Sequence, residues 1–271
     1  ITIASNPADG QDAAYVKGNI ITNNIISDIE NAGVLLDGYS QGTMISGNDI
    51  TAPNAMWAGG IRVYYFNESC TISNNRIHNI HNLYAMPVVG IELSASAAPG
   101  KENIIANNCI YDIVGDEEQI GIAVRYGSPA SYVKILHNTI LLDDQSPSGY
   151  GTTYGITLGY NTSQVQVMNN IVHITRTTSA ENFVMFVEAA VPGLVCDYNN
   201  WYVSSATAVV NAIGALDWVP SVTMADWRNA TGNDNHSTSY DPLFTNVANG
   251  DLYPAQGAMD TVLTNALILD H

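Results

Sequence analysis

Apolar and polar residues alternate with a period of two along the first two hundred residues, in short pieces rich in Ile and Val. That period predicts strands, because successive side chains of an extended segment point to opposite faces. One phrase recurs: an apolar residue, two variable positions, Asn, a variable position, and a second apolar residue. It reads Ile21-Thr22-Asn23-Asn24-Ile25-Ile26 at first and returns with Asn48, Asn75, Asn108, Asn138 and Asn170, then more weakly with Asn200. These Asn residues stand 24 to 33 residues apart. A second phrase, Gly followed by an apolar-variable-apolar triplet, begins at Gly33, Gly60, Gly90, Gly121 and Gly155 and precedes the next Asn by 15 to 18 residues. Two independent phrases held in one phase predict a repeat architecture whose coils bury their apolar faces only against their neighbours.

On these phrases the chain resembles the right-handed parallel β-helix family over roughly residues 15–203. The resemblance implies an all-β solenoid of about six to seven coils with about three short strands each. It also implies that Asn24, Asn48, Asn75, Asn108, Asn138, Asn170 and Asn200 stack as an inward ladder at a turn. Asn suits such a place because it tolerates left-handed backbone and bonds turn amides. After about residue 203 the repeat fades into Trp218, Trp227, Asp241-Pro242-Leu243-Phe244, Asn249-Gly250-Asp251 and Gly257-Ala258-Met259-Asp260. That succession is similar to the C-terminal closure of β-helices in secreted and cell-surface proteins of Bacteroidetes-type bacteria. Residues 204–271 are therefore expected to cap the coils, interrupted before the closure ends. An open last coil exposes strand edges, and Trp218, Trp227, Leu243 and Phe244 are the expected capping surface.

Composition narrows the partners. Eight Lys and Arg against 25 Asp and Glu give a net charge of −17, which repels a polyanion and argues against nucleic acid. No apolar run approaches the length of a membrane span. Cys70, Cys109 and Cys196 lack metal-ligand spacing and read as small buried side chains. No signal peptide is visible, but the chain opens on Ile1 rather than Met and is expected to be a segment cut from a longer precursor, so the missing signal says nothing about secretion.

Candidate chemistry lies on the Gly-containing strands. If the flanking apolar residues point inward, Leu35, Arg62, Glu92, Ala123 and Thr157 form one outward column, and Asp37, Tyr64, Ser94, Arg125 and Gly159 the next. With coils about 4.8 Å apart, Arg62 and Glu92 are expected to touch, either as a surface ion pair or as part of a polysaccharide groove. In the groove reading Arg62, Glu92 and Arg125 bind hydroxyls or a carboxylate, and Tyr64, Tyr65, Tyr126 and Tyr160 offer stacking faces. The same three charged residues are the catalytic candidates if the chain is an enzyme. Lyases of this fold need a base and a cation beside a uronate, a task for which so acidic a chain would call on Ca²⁺. Asp116-Glu117-Glu118 is a cation-attracting loop or a solvated charge run; it lacks the alternating ligands of a Ca²⁺ loop, and no metal site is expected. Asp143-Asp144 resembles the paired acids of polygalacturonases, but that family's flanking Gly and Cys and its Gly-His-Gly element are missing. His78, His81, His137, His173 and His236 read as turn or core-edge residues.

The sequence thus predicts a non-catalytic module of a large secreted or cell-surface bacterial protein, in contact with glycans or with other parts of a larger polypeptide. A polysaccharide lyase or glycoside hydrolase is the rival, and a rigid spacer the third reading.

Overall fold

A computed structural model describes residues 1–5, 16–56, 59–82, 84–125, 130–146 and 149–255. Its strands run parallel from coil to coil and form three long sheets around one axis, a right-handed solenoid of about six turns. The longest sheet holds Thr2–Ser5, Ala32–Gly38, Gly59–Tyr65, Val88–Ala95, Gln119–Val124, Thr153–Leu158, Glu181–Val187 and Val210–Leu216 in that order. Its parallel stack therefore runs on past residue 203, through a strand in register with Glu181–Val187. A seven-stranded sheet runs from Ile20–Thr22 to Val195–Asp197, and an eight-stranded one from Ile25–Ile26 to Asn200–Val203. Inside lies an aliphatic column in which Val34, Ile61, Ile91, Ile122 and Ile156, and Leu36, Val63, Leu93, Val124 and Leu158, are fully buried. The inward assignment of the apolar positions thus holds on every one of these strands.

Two repeat positions have clear physical causes. At Gly60, Gly90 and Gly121 an added Cβ would lie 2.5–2.6 Å from the carbonyl oxygen of the next coil's glycine. It would also strike Ile77, Ile110 or Ile140 of the facing sheet. None of the three has positive φ, so glycine is there for space rather than for backbone freedom. The Asn ladder sits at the turn between the two shorter sheets. From Asn48 to Asn170, each Oδ1 accepts the backbone amide of the previous coil's Asn at 2.9–3.0 Å. Each Nδ2 donates to the next Oδ1 and back to a strand carbonyl of the preceding coil, for example Asn108 to Ile72.

The ladder corrects two expectations. Its last rung is Asn199, which accepts from Asn170, whereas Asn200 pairs with Ile171 in the adjoining strand and bonds Thr238 and Tyr240. The left-handed residue is the one before each rung: Asn23, Gly47, Asn74, Asn107, His137, Asn169 and Tyr198 all have φ of 54–67°. The rung itself needs its side chain for hydrogen bonds, and the neighbour takes the turn.

Of the expected cap, Gly257-Ala258-Met259-Asp260 lie outside the described residues, and the described part closes the coils through fewer residues than expected. Val219–Ser221 folds back antiparallel on Val210–Leu216 and leads into the helix Met224–Thr231, started by a Thr223/Asp226 capping box and stopped by Gly232 at φ 70°. Trp227 on this helix is fully buried against Gly214. Its indole N–H donates to Asp234 Oδ2 at 2.7 Å, and that of Trp201 to Oδ1 at 3.1 Å. Trp218, by contrast, stays 60% exposed on the flank of the longest sheet with its ring against Phe186. Leu243 is exposed as well. Phe244 opens a hairpin, Phe244–Asn246 with Asp251–Pro254, that covers Tyr111 and Leu141 on the flank of the eight-stranded sheet. Only Trp227 of the four expected capping residues therefore seals the core, because the chain turns along the coils after Asp241.

Candidate functional site

The outward columns of the longest sheet form as the alternation requires, with Leu35, Arg62, Glu92, Ala123 and Thr157 in mutual register. Tyr64 lies beside Asp37 on one side and Ser94 on the other. Arg62 Nε approaches Glu92 Oε2 at 3.4 Å, and its Nη1 donates to Asn31 at 2.8 Å. The Tyr64 hydroxyl donates to the same Glu92 oxygen at 2.8 Å. Glu92 is thus held between a guanidinium and a phenol, with only 10% of its side chain exposed. Burial first, and the Glu92 charge next, push the Tyr64 hydroxyl far above its ordinary pKa of 10.0.

Arg125 stands apart from that trio. Its guanidinium reaches Glu118 of its own coil at 3.4 Å, and its carbonyl accepts the Ser94 hydroxyl. Gly159, one coil on, leaves room for its Cβ. The outward face changes character here. Ala123, Tyr154, Phe183, Phe186, Ala212 and Ala215 are buried in a second apolar cluster outside the sheet, so the column expected to be outward is not open along its whole length. The alternation assigns a face but says nothing of what later packs on it.

The aromatic candidates divide in the same way. Tyr65 is 53% exposed, at φ 68°, with its ring edge-on to Tyr64. Tyr160 is exposed too and accepts a hydrogen bond from the Trp218 indole at 3.4 Å. Tyr126 falls outside the described residues. The sequence reading missed Tyr39 and Phe66, stacked with centroids 4.8 Å apart at the corner next to Tyr65. The available signal was Tyr39 and Tyr65-Phe66 recurring one coil apart.

The other acidic and His positions acquire local partners. Asp116, Glu117 and Gly115 turn their carbonyls onto the buried Arg176 guanidinium, which also reaches Gly151 and Thr153. Desolvation brings the Arg176 pKa down to about 10. The Glu117 carboxylate accepts from Tyr150. Among the described residues no group of three or more His, Cys, Asp or Glu is placed to hold a metal. Asp144 accepts from Gln119 and Ser146, while burial raises the pKa of Asp143. His78 and His81 lie within the strand Arg76–Asn82, and His173 within Ile171–Ile174, rather than on turns. Four of the histidines face an aspartate: His78 with Asp49, His81 with Asp112, His173 with Asp241 and His236 with Asp197. Each of these partners lies on another turn of the chain, where sequence spacing does not show it.

The arrangement as a whole offers exposed aromatic rims beside the Arg62–Glu92 and Arg125–Glu118 pairs. No curated protein and no solved structure matches this chain. The family model for the right-handed β-helix region matches residues 1–172. With that match over more than half its length, and with parallel coils in register, the chain belongs to the right-handed β-helix family.

Proposed function

We propose that this β-helix is a non-catalytic module of a secreted or cell-surface bacterial protein that contacts glycans along the rim of its longest sheet. The observation carrying this reading is the corner where Tyr39 of one coil stacks on Phe66 of the next, with Phe66 and its neighbour Tyr65 each about half exposed. Aromatic faces on a rigid scaffold suit the C–H faces of pyranose rings at small entropic cost. The neighbouring Arg62, Tyr64 and Glu92 satisfy one another. A general base needs an oxygen within reach of the substrate proton, and Glu92 spends its Oε2 on Tyr64 and Arg62.

A panel of neutral and acidic polysaccharides, with and without Ca²⁺, tests the proposal through both binding and the appearance of new unsaturated or reducing ends. Binding without turnover, weakened in Phe66→Ser, is the expected result. Turnover lost in Glu92→Ala or Arg125→Ala would refute it in favour of a lyase or hydrolase. Absence of binding across the panel would leave the spacer reading.

A further inference from the structure

The corner that carries the aromatic pair also carries a charge without a counter-ion. Asp37 ends the outward column of the first complete coil, exposed, in register with Tyr64 and two residues from Tyr39. Among the described residues no Lys, Arg or His pairs with it. The two arginines of this face are spent, Arg62 on Glu92 and Arg125 on Glu118. Glu188 and Asp217 continue Asp37's column along the remaining coils. The surplus charge of the face is negative, in agreement with a chain at −17.

From this juxtaposition we propose that the Tyr39/Tyr65/Phe66 corner, with Asp37, takes a glycan bearing free amino groups, a polymer of 2-amino-2-deoxy sugars, in preference to neutral or uronate polymers. The inference rests on the glycan reading above and adds its chemical class. A protonated amine gains twice at this corner: a charge-assisted hydrogen bond to Asp37 and attraction to the negative faces of the tyrosine and phenylalanine rings. A uronate meets the Asp37 carboxylate, and the nearest guanidinium, that of Arg62, is already paired with Glu92. The sugar rings themselves stack on the aromatic rim, so charge sets preference and the rings set position.

Calorimetric titration of the whole chain with a glucosamine hexamer tests this, at a pH where its amines are protonated. An N-acetylated hexamer and an oligogalacturonate serve as comparisons. Asp37→Asn, the double variant Tyr65→Asn with Phe66→Ser, and the distant Glu188→Gln complete the set; Asn at position 65 suits the positive φ there, and circular dichroism checks that each variant folds. The glucosamine hexamer should bind best, lose about tenfold or more in affinity with Asp37→Asn, lose again with the aromatic double variant, and be little affected by Glu188→Gln. Equal binding of the N-acetylated hexamer, still lost in the aromatic variant, would overturn the amino-sugar inference while leaving glycan contact standing. Binding of the glucosamine hexamer that ignores the aromatic variant and falls alike with Asp37→Asn and Glu188→Gln would mark diffuse charge attraction and overturn the site. No binding of any oligomer would overturn both.

Discussion

Removing one rung of the Asn ladder should cost far more inside the stack than at its end. In Asn108→Ala the buried Asn75 amide loses its acceptor, now at 3.0 Å, and Asn75 Nδ2 loses one of its two. The Ile72 carbonyl and Asn138 Oδ1 each lose a donor. A buried group left unsatisfied costs about 1–3 kcal/mol, and the Asn75 amide and Ile72 carbonyl together put the variant about 2–6 kcal/mol below the parent. Asn24→Ala removes the same side chain from the first rung. There Nδ2 donates only to Thr22 and Asn48, and Asn48 Oδ1 keeps the Asn24 amide. No buried amide is orphaned, so about 0.5–1 kcal/mol is expected. Urea unfolding followed by circular dichroism and tryptophan fluorescence reads both values, provided the two probes coincide and the slope is unchanged. Equal losses in the two variants, or a loss below about 1 kcal/mol for Asn108→Ala, would refute the ladder as a source of stability.

Asp234→Ala should loosen the C-terminal closure, since two indoles, Asn199 and Ser237 all donate to this buried carboxylate; a loss of about 3 kcal/mol or more, with a red shift of tryptophan emission, is expected, and an unshifted spectrum would contradict it. Gly90→Ala should destabilise by about 1–3 kcal/mol through overpacking against Gly121 and Ile110, measurable as a lowered Tm. The raised pKa of Tyr64 means that its contribution to stability is full below the ordinary value of 10.0 and fades as pH climbs toward the folded value. Ultraviolet titration should show several tyrosines ionising late, Tyr64 and Tyr154 among them, and the Tyr64 component alone should move earlier in Glu92→Gln; an unchanged profile in that variant would remove Glu92 as a cause. His173 runs the other way: burial between Tyr202 and Phe244 lowers its pKa from 6.5, against the pull of Asp241. Its contribution is therefore present above 6.5 and lost as pH falls through the folded value. Protection factors in Phe244–Asn246, referred to the intrinsic exchange rate at each pH, should fall as pH drops below 6.5, and flat protection factors would count against that linkage.

Much of the fold was legible because its causes repeat. A glycine that must leave space for the next coil's carbonyl, and an Asn that must accept the previous coil's amide, recur once per turn and mark the phase. The slip between Asn199 and Asn200 came where two Asn residues adjoin, and only backbone pairing decides which of them faces the ladder. Arg62 beside Glu92 was legible for the same reason as the coils, being two members of one column. The Tyr39–Phe66 stack was not, since both lie at a corner after the strand ends, where no alternation assigns direction. Arg176 was equally hidden: apart from the Thr153 hydroxyl its acceptors are main-chain carbonyls, and carbonyls leave no mark in a sequence.

By itself, then, the sequence determined the solenoid, its period, its inward residues and the acidic surface. The tertiary structure decided which outward residues remain in water, which charges are already paired, and that the tail seals the core with Trp227 while its hairpin lies along the flank. The division has one physical reason. A strand's alternation is local and survives in the order of residues, whereas the cover over an outward face, such as Trp218 over Phe186, and most counter-ions, such as Glu92 for Arg62, come from other coils and are brought alongside only when the coils stack.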